Sequence, residues 1–146
     1  MKCFSTYILK AILCLTVILF LSMEVFSSSL KIVVTNLKSS SAPVMLAVYK
    51  KCVPFPDDKA AISYLTVNPT GNKAIAEFDI PDGEYAVAIF QDINKNGKLD
   101  TGWFGIPKEP YCFSNNFKPI MSAPKFEDCS FVIKDSPKNL EIKLLH

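Results

Sequence analysis

The chain has 146 residues and a formal net charge of +2; all sixteen basic residues are Lys, none is Arg, and there is one His. Phosphate and nucleic-acid sites lean on Arg forks, and no Lys cluster exceeds the pair Lys50-Lys51, which argues against nucleic acid as a partner. The single histidine, His146, ends the chain, so the usual general base of Ser and Cys hydrolases is missing from its interior.

Met1 to Lys10 carry Lys2 and Lys10 and no acid, Ala11 to Leu21 is almost purely apolar, and Ser27, Ser28 and Ser29 follow. That order predicts a secretory signal over residues 1–29, cleaved near Ser27 or Ser29, and a mature domain over 30–146 that is periplasmic or extracellular. A spanning helix needs about 20 apolar residues, and this run is shorter, bounded by Lys10 and Glu24. The rival, an uncleaved anchor, is therefore the weaker reading, and no stable membrane span remains after cleavage. Cys14 sits inside the apolar run rather than after it, which argues against a lipid anchor. Residues 30–146 suffice for one domain and not for two. They keep Cys52, Cys112 and Cys129, and either one bridge with a free thiol or three buried thiols fits.

The mature region reads as short strands between turns. Leu30, Ile32 and Val34 alternate with more polar neighbours, and Val44, Leu46 and Val48 form one face of a second strand after the Ser39–Pro43 turn. Cys52 to Ala61, with Pro54, Pro56 and Asp57-Asp58, is a loop closing in a helical turn. Ile62 to Val67 is a weaker strand. Ala74, Ala76, Phe78 and Ile80 alternate up to Pro81-Asp82-Gly83, a tight turn in which Gly is free to take positive φ. Glu84 to Gln91 is apolar on both faces, as a central strand is, and it completes a hairpin with the preceding segment. Strands around Ser130–Lys134 and Leu140–Leu144 close the chain. Seven short alternating strands without a helical period predict an all-β, seven-stranded antiparallel β-sandwich with a long loop after the fifth strand.

That loop begins with Asp92-Ile93-Asn94-Lys95-Asn96-Gly97-Lys98-Leu99-Asp100. Oxygen-bearing side chains at 92, 94 and 96, a Gly for the sharp turn, the Lys98 carbonyl and a closing carboxylate match the first half of a helix-hand calcium loop. The second half fails: position twelve, which should be a bidentate Glu, is Trp103. Asp92, Asn94, Asn96, Lys98 and Asp100 are the candidate Ca²⁺ ligands, with affinity near ~10⁻⁴–10⁻³ M, and Glu109 or Asp128 could complete the shell. The competing reading is a turn whose side chains bond only their own backbone. The segment from Gly102 to Phe126 is rich in Pro and aromatics, and it either packs down as a lid or presents a surface. As a presented surface, Trp103, Tyr111 and Phe113 beside Glu109, Ser114, Asn115 and Asn116 would bind a carbohydrate or another small ligand.

Five motifs occur in order: Gly83-x-Tyr85-Ala86-Val87; the loop from Asp92 to Asp100; Gly105-Ile106-Pro107-x-Glu109; Phe113-Ser114-Asn115-Asn116; and Pro124-x-Phe126. In these the chain resembles DUF2141, a family of exported bacterial proteins of unknown function. The resemblance implies a sandwich similar to transthyretin-like or Ig-like domains, and it brings no activity or catalytic residues. The chain departs from the family at Cys112, at Phe117-Lys118 and at Cys129, where Ala is usual. Together these readings predict a non-catalytic binding or structural module, with an unknown protein or carbohydrate as partner. An enzyme built on carboxylates such as Asp100 and Glu109 is the rival from another class.

Overall fold

The computed structural model describes residues 27–120 and 122–146. The expected leader lies outside the described residues up to residue 26, but Ser27 to Ser29 already belong to the first strand. Eight strands form: β1 (Ser27–Thr35), β2 (Val44–Lys50), β3 (Ser63–Val67), β4 (Ala74–Pro81), β5 (Gly83–Gln91), β6 (Tyr111–Phe113), β7 (Phe131–Ile133) and β8 (Lys138–Lys143). One four-residue helix, α1 (Phe126–Cys129), precedes β7. All seven expected strands are present, and β6 is the addition.

Two sheets face each other. One has the order β4-β1-β8, and the other runs β3-β2-β5, with β6 and β7 pairing successive stretches of the same β5 edge. Two expectations need correction. The segments around Pro81-Asp82-Gly83 are not a hairpin: β4 pairs with β1 and β5 pairs with β2, so the turn carries the chain from one sheet to the other. The sandwich is also not wholly antiparallel, because β1 pairs with β8 in parallel from Leu30↔Lys138 to Thr35↔Lys143. Alternation fixes which face of a strand is apolar and leaves its neighbour open.

The strand periods nonetheless build the core directly. Leu30, Ile32, Val34, Ala74, Ala76, Phe78 and Ile80 from one sheet meet Val44, Leu46, Val48, Tyr85, Val87 and Ile89 from the other, all buried. The crossover is tied at three points. Tyr85 Oη donates to the Pro81 carbonyl (2.7 Å), Ser28 Oγ donates to Asp82 Oδ1 (2.7 Å), and Asp135 N donates to Asp82 Oδ2 (2.8 Å). These bonds hold the Asp82 carboxyl below its usual range, the Ser28 hydroxyl first. A cut after Ser29 would therefore remove one of the ties.

A second layer covers part of the outer face of the five-stranded sheet. There Tyr49, Ala47, Ala86, Phe126 and Cys129 are buried, with Phe55, Phe113 and Phe117 packed against them. Phe55 is the hub, meeting Tyr49, Phe113 and Phe126 edge to face at 5.0, 5.8 and 6.1 Å. Cys52, Cys112 and Cys129 are free thiols, the first exposed and the other two buried. Burial pushes the Cys129 thiol up to about 12, so it packs as a neutral filler.

Gly83 is needed for space and not for positive φ, contrary to expectation. A Cβ there would lie 3.1 Å from Tyr85 Cε2 and Oη, against a fully buried ring. Gly83→Ala is expected to displace the ring from Pro81 and cost about 1–3 kcal/mol, read as a lower urea midpoint at unchanged m-value.

Candidate functional site: the loop after β5 and the groove beside it

At the end of β5 the inward-facing position is Gln91, fully buried. Its Oε1 accepts from Lys38 N (2.8 Å) and Ser39 N (3.3 Å), and its Nε2 donates to the carbonyls of Ser39 (2.6 Å) and Ala42 (3.1 Å). The next residue donates Asp92 N to the Pro43 carbonyl (2.9 Å). The loop thus starts from a fixed point.

From there the chain wraps around Asp92, which is 2 % exposed. Asp92 Oδ1 accepts from Asn96 N (3.1 Å) and Oδ2 from Gly97 N (2.7 Å). Gly97 has φ of 76°, the left-handed turn that its residue type makes inexpensive. Asn94 Nδ2 donates to Asp100 Oδ2 (2.6 Å), and Asn96 Nδ2 donates to both Asp100 oxygens (3.2 and 3.1 Å). Asn94 Oδ1 and Asn96 Oδ1 accept from the Asn96 and Lys98 amides. Asn94 and Asn96 are therefore drawn onto Asp100, while Asp92 is held by the backbone of Asn96 and Gly97.

Glu109 takes a different part. It is 7 % exposed, and its Oε1 accepts from Ile93 N (2.8 Å) while Oε2 accepts from Asp100 N (3.0 Å). One carboxylate staples the loop's two ends, and both of its oxygens are engaged in doing so. Asp128 is likewise committed elsewhere, accepting from Lys125 N (3.0 Å). Among the described residues no three His, Cys, Asp or Glu side chains group as a metal would need. Of the candidate cation ligands, Asp92 and Asp100 supply carboxylates, while the Asn94 and Asn96 amides turn N–H toward Asp100 and spend their Oδ1 atoms on the backbone amides of Asn96 and Lys98.

The aromatic segment divides. Trp103 and Phe104 stand clear, 88 % and 98 % exposed. Tyr111 and Phe113 are half-buried on β6, and Phe126 is buried. Ser114 is buried and Asn115 and Asn116 are exposed, and all three bond the protein's own backbone. Ser114 Oγ accepts from Val87 N (2.9 Å) and donates to the Cys129 carbonyl (2.6 Å). Asn115 Nδ2 donates to the Ser130 carbonyl (2.9 Å), and Asn116 bonds the Glu141 carbonyl and Lys143 N (3.0 and 2.7 Å).

The register assembles a groove that residue patterns alone did not reveal. On the outer face of the five-stranded sheet, Tyr64, Ala47, Ala88 and Phe113 lie in one cross-strand row, and Thr66, Met45, Phe90 and Tyr111 in the next. Two alanines side by side make a floor, and the aromatics at the row's ends make walls. The resulting cavity is about 520 Å³, with Gly97, Lys98 and Leu99 of the acidic loop and Thr101 and Pro107 on one rim, and Pro56 and Asp58 on another. Tyr49 Oη, fully buried nearby, has no hydrogen-bond partner. Burial first, then the charge of Asp58, raises its pKa above the ordinary phenol range.

The family DUF2141, "Uncharacterized protein conserved in bacteria", matches residues 32–141, and the chain belongs to it. No curated protein and no solved structure matches. No helix among the described residues is long and apolar enough to cross a membrane.

The staple makes a specific demand. Glu109→Ala orphans two backbone N–H groups and is expected to cost about 2–4 kcal/mol, while Glu109→Gln, which keeps one acceptor, costs less. Amide hydrogen exchange should quicken first at Ile93 and Asp100, which localises the loss to the loop.

Proposed function

We propose that this DUF2141 protein is an exported, non-catalytic binding module, of the Ig-like or transthyretin-like sandwich type. Its ligand seat is the groove floored by Ala47 and Ala88, and its acidic loop is a Ca²⁺-steadied rim. The observation that carries the reading is the groove itself: an open apolar trough in a sheet face whose remainder is roofed by Phe55 and Phe126. Small floor residues between aromatic walls favour a ligand with a flat ring face, an aromatic ring or a sugar, stacking on Tyr64, Tyr111 or Phe113. Lys98 on one rim and Asp58 on another would orient its polar groups. Of the residues first read as ligand contacts, the proposal keeps Tyr111 and Phe113; Glu109, Ser114 and Asn116 have their polar groups bonded within the chain, and Asn115 Nδ2 bonds the Ser130 carbonyl.

For the cation, a half-turn of the Asn94 and Asn96 amides exchanges N–H for oxygen toward Asp100 and presents Asp92, Asn94, Asn96, the Lys98 carbonyl and Asp100 to one ion. Glu109 would hold the loop ends without joining the shell.

The groove is tested with 8-anilinonaphthalene-1-sulfonate and, in a second arm, with cello-oligosaccharides. Binding is expected to fall about tenfold in Tyr64→Ala, the loss of one aromatic stacking contact, and to vanish in Ala88→Leu, with the unfolding midpoint of Tyr64→Ala unchanged. Equal binding by all three chains would place the ligand elsewhere. The cation is tested by unfolding in EDTA and in 10 mM CaCl₂. At 10 to 100 times Kd the ion adds about 1.4–2.7 kcal/mol, a rise of several degrees in Tm that Asp100→Ala abolishes. An unmoved Tm in the wild-type chain leaves the loop a self-bonded turn.

A further inference from the structure

Between the acidic loop and Glu109 the chain makes a finger whose tip belongs neither to the cation centre nor to the groove. Thr101 and Pro107 bridge at its base, Lys108 N donates to the Asp100 carbonyl (2.8 Å), Gly102 N donates to the Ile106 carbonyl (2.7 Å), and Gly105 N reaches the Gly102 carbonyl (3.3 Å). The finger's stem is thus closed by backbone bonds, while at its tip Trp103, Phe104 and Ile106 are 88 %, 98 % and 64 % exposed. Phe104 is held at φ 63°, a left-handed conformation costly for a residue with a side chain. At 98 % exposure, no contact within the chain offsets that strain.

We infer that this finger is a membrane-docking tip: Trp103, Phe104 and Ile106 enter the headgroup region of a bilayer bearing anionic lipid, with Lys98 and Lys108 at its base. Three arguments favour lipid over a protein partner. Three side chains of this size offer on the order of 500 Å², short of the ~800 Å² per partner of a stable protein interface. Trp and Phe are residues that favour the membrane–water boundary, and a bilayer needs no shaped complement. The bonds from Gly102 N, Gly105 N and Lys108 N keep those three donors paired as the tip enters a water-poor layer. The charge agrees. Residues 92–118 hold Lys95, Lys98, Lys108 and Lys118 against Asp92, Asp100 and Glu109, and two of those three acids are buried against backbone N–H groups. Lys108 packs along the finger, its Cε 3.3 Å from where a Cβ on Gly102 would stand.

The chain's one tryptophan is Trp103, so its fluorescence reads the tip and nothing else. The full chain is titrated with vesicles of phosphatidylcholine containing one-third phosphatidylglycerol. The expected result is a shift of Trp103 emission to shorter wavelength and quenching by brominated lipid. Both should be lost in the double variant Phe104→Ser, Ile106→Ser, whose unfolding midpoint stays that of wild type because the replaced side chains are exposed. Lys98→Gln and Lys108→Gln should each weaken partitioning about fivefold on these vesicles and leave pure phosphatidylcholine unaffected. A chain held to vesicles only by its N-terminal apolar segment leaves Trp103 in water, which would overturn the inference. So would a shift that survives in the double variant, or one that grows with protein concentration in the absence of lipid.

Discussion

Strand β5 is apolar on both faces, and a two-sheet core can bury only one of them. Tyr85, Val87 and Ile89 point inward and are satisfied by the facing sheet, whereas Ala86, Ala88 and Phe90 point outward with Ala47 and Tyr49 of β2 beside them. Burial of apolar surface stabilises by about 25 cal/mol per Å², so this outer face must find cover. The chain supplies it from two loops: Phe55 descends from the segment after β2, and Phe113, Phe117 and Phe126 come from the long segment after β5. Cover extends over one part of the face only. Where it stops, the alanine floor is left open, and the groove is the unroofed remainder of a sheet built to be roofed.

The long segment can reach back over the sheet because its origin is rigid. Gln91 ties β5 to the 38–42 turn, and Glu109 then returns the chain to where the loop began. Only after that closure does the chain pair as β6, whose Cys112 faces the core opposite Ile89 while Tyr111 and Phe113 face the groove. One buried carboxylate thereby sets the registers of the acidic loop, the finger and one wall of the groove. The same commitment of both Glu109 oxygens limits the proposed ion to two carboxylates, and ligand charge count governs affinity in such loops.

How far the sequence could be read follows from the range of each interaction. Alternation is local, and it located seven strands and the inward faces of three of them, Leu30–Val34, Val44–Val48 and Ala74–Ile80. The Asp/Asn spacing at 92, 94, 96 and 100 is also local, and in the structure Asn94 and Asn96 bond Asp100. What was illegible is non-local. Pro81-Asp82-Gly83 has the residues of a hairpin turn, but whether two strands pair or part depends on β1 and β2, which claim β4 and β5 separately. The parallel β1–β8 pair joins the two ends of the domain, and nothing in either strand announces its partner. β6 escaped because Tyr-Cys-Phe in a Pro-rich stretch is too short to show a period. The groove escaped because Ala47 and Ala88 read as strand filler until register sets them side by side. Gly83 carried a readable signal read for the wrong cause, since the closeness of Tyr85 two residues on, and not positive φ, would crowd a side chain there.

The acidic loop, the groove and the finger are not three independent features. Gly97, Lys98 and Leu99 of the loop form a rim of the groove, and the finger leaves the same loop at Asp100. A cation that drew Asn94, Asn96 and Asp100 together would fix the rim against which a ligand packs. By linkage the ligand would tighten the cation by the same factor. The finger would inherit that order through the bond from Lys108 N to the Asp100 carbonyl. Coupling of this kind requires a strut that all three share and that does not itself bind. Glu109, buried and joined only to backbone, meets that requirement: removing it should uncouple the sites from one another, whereas removing Asp100 should cost the cation and, through it, whatever tightening the cation gives the ligand.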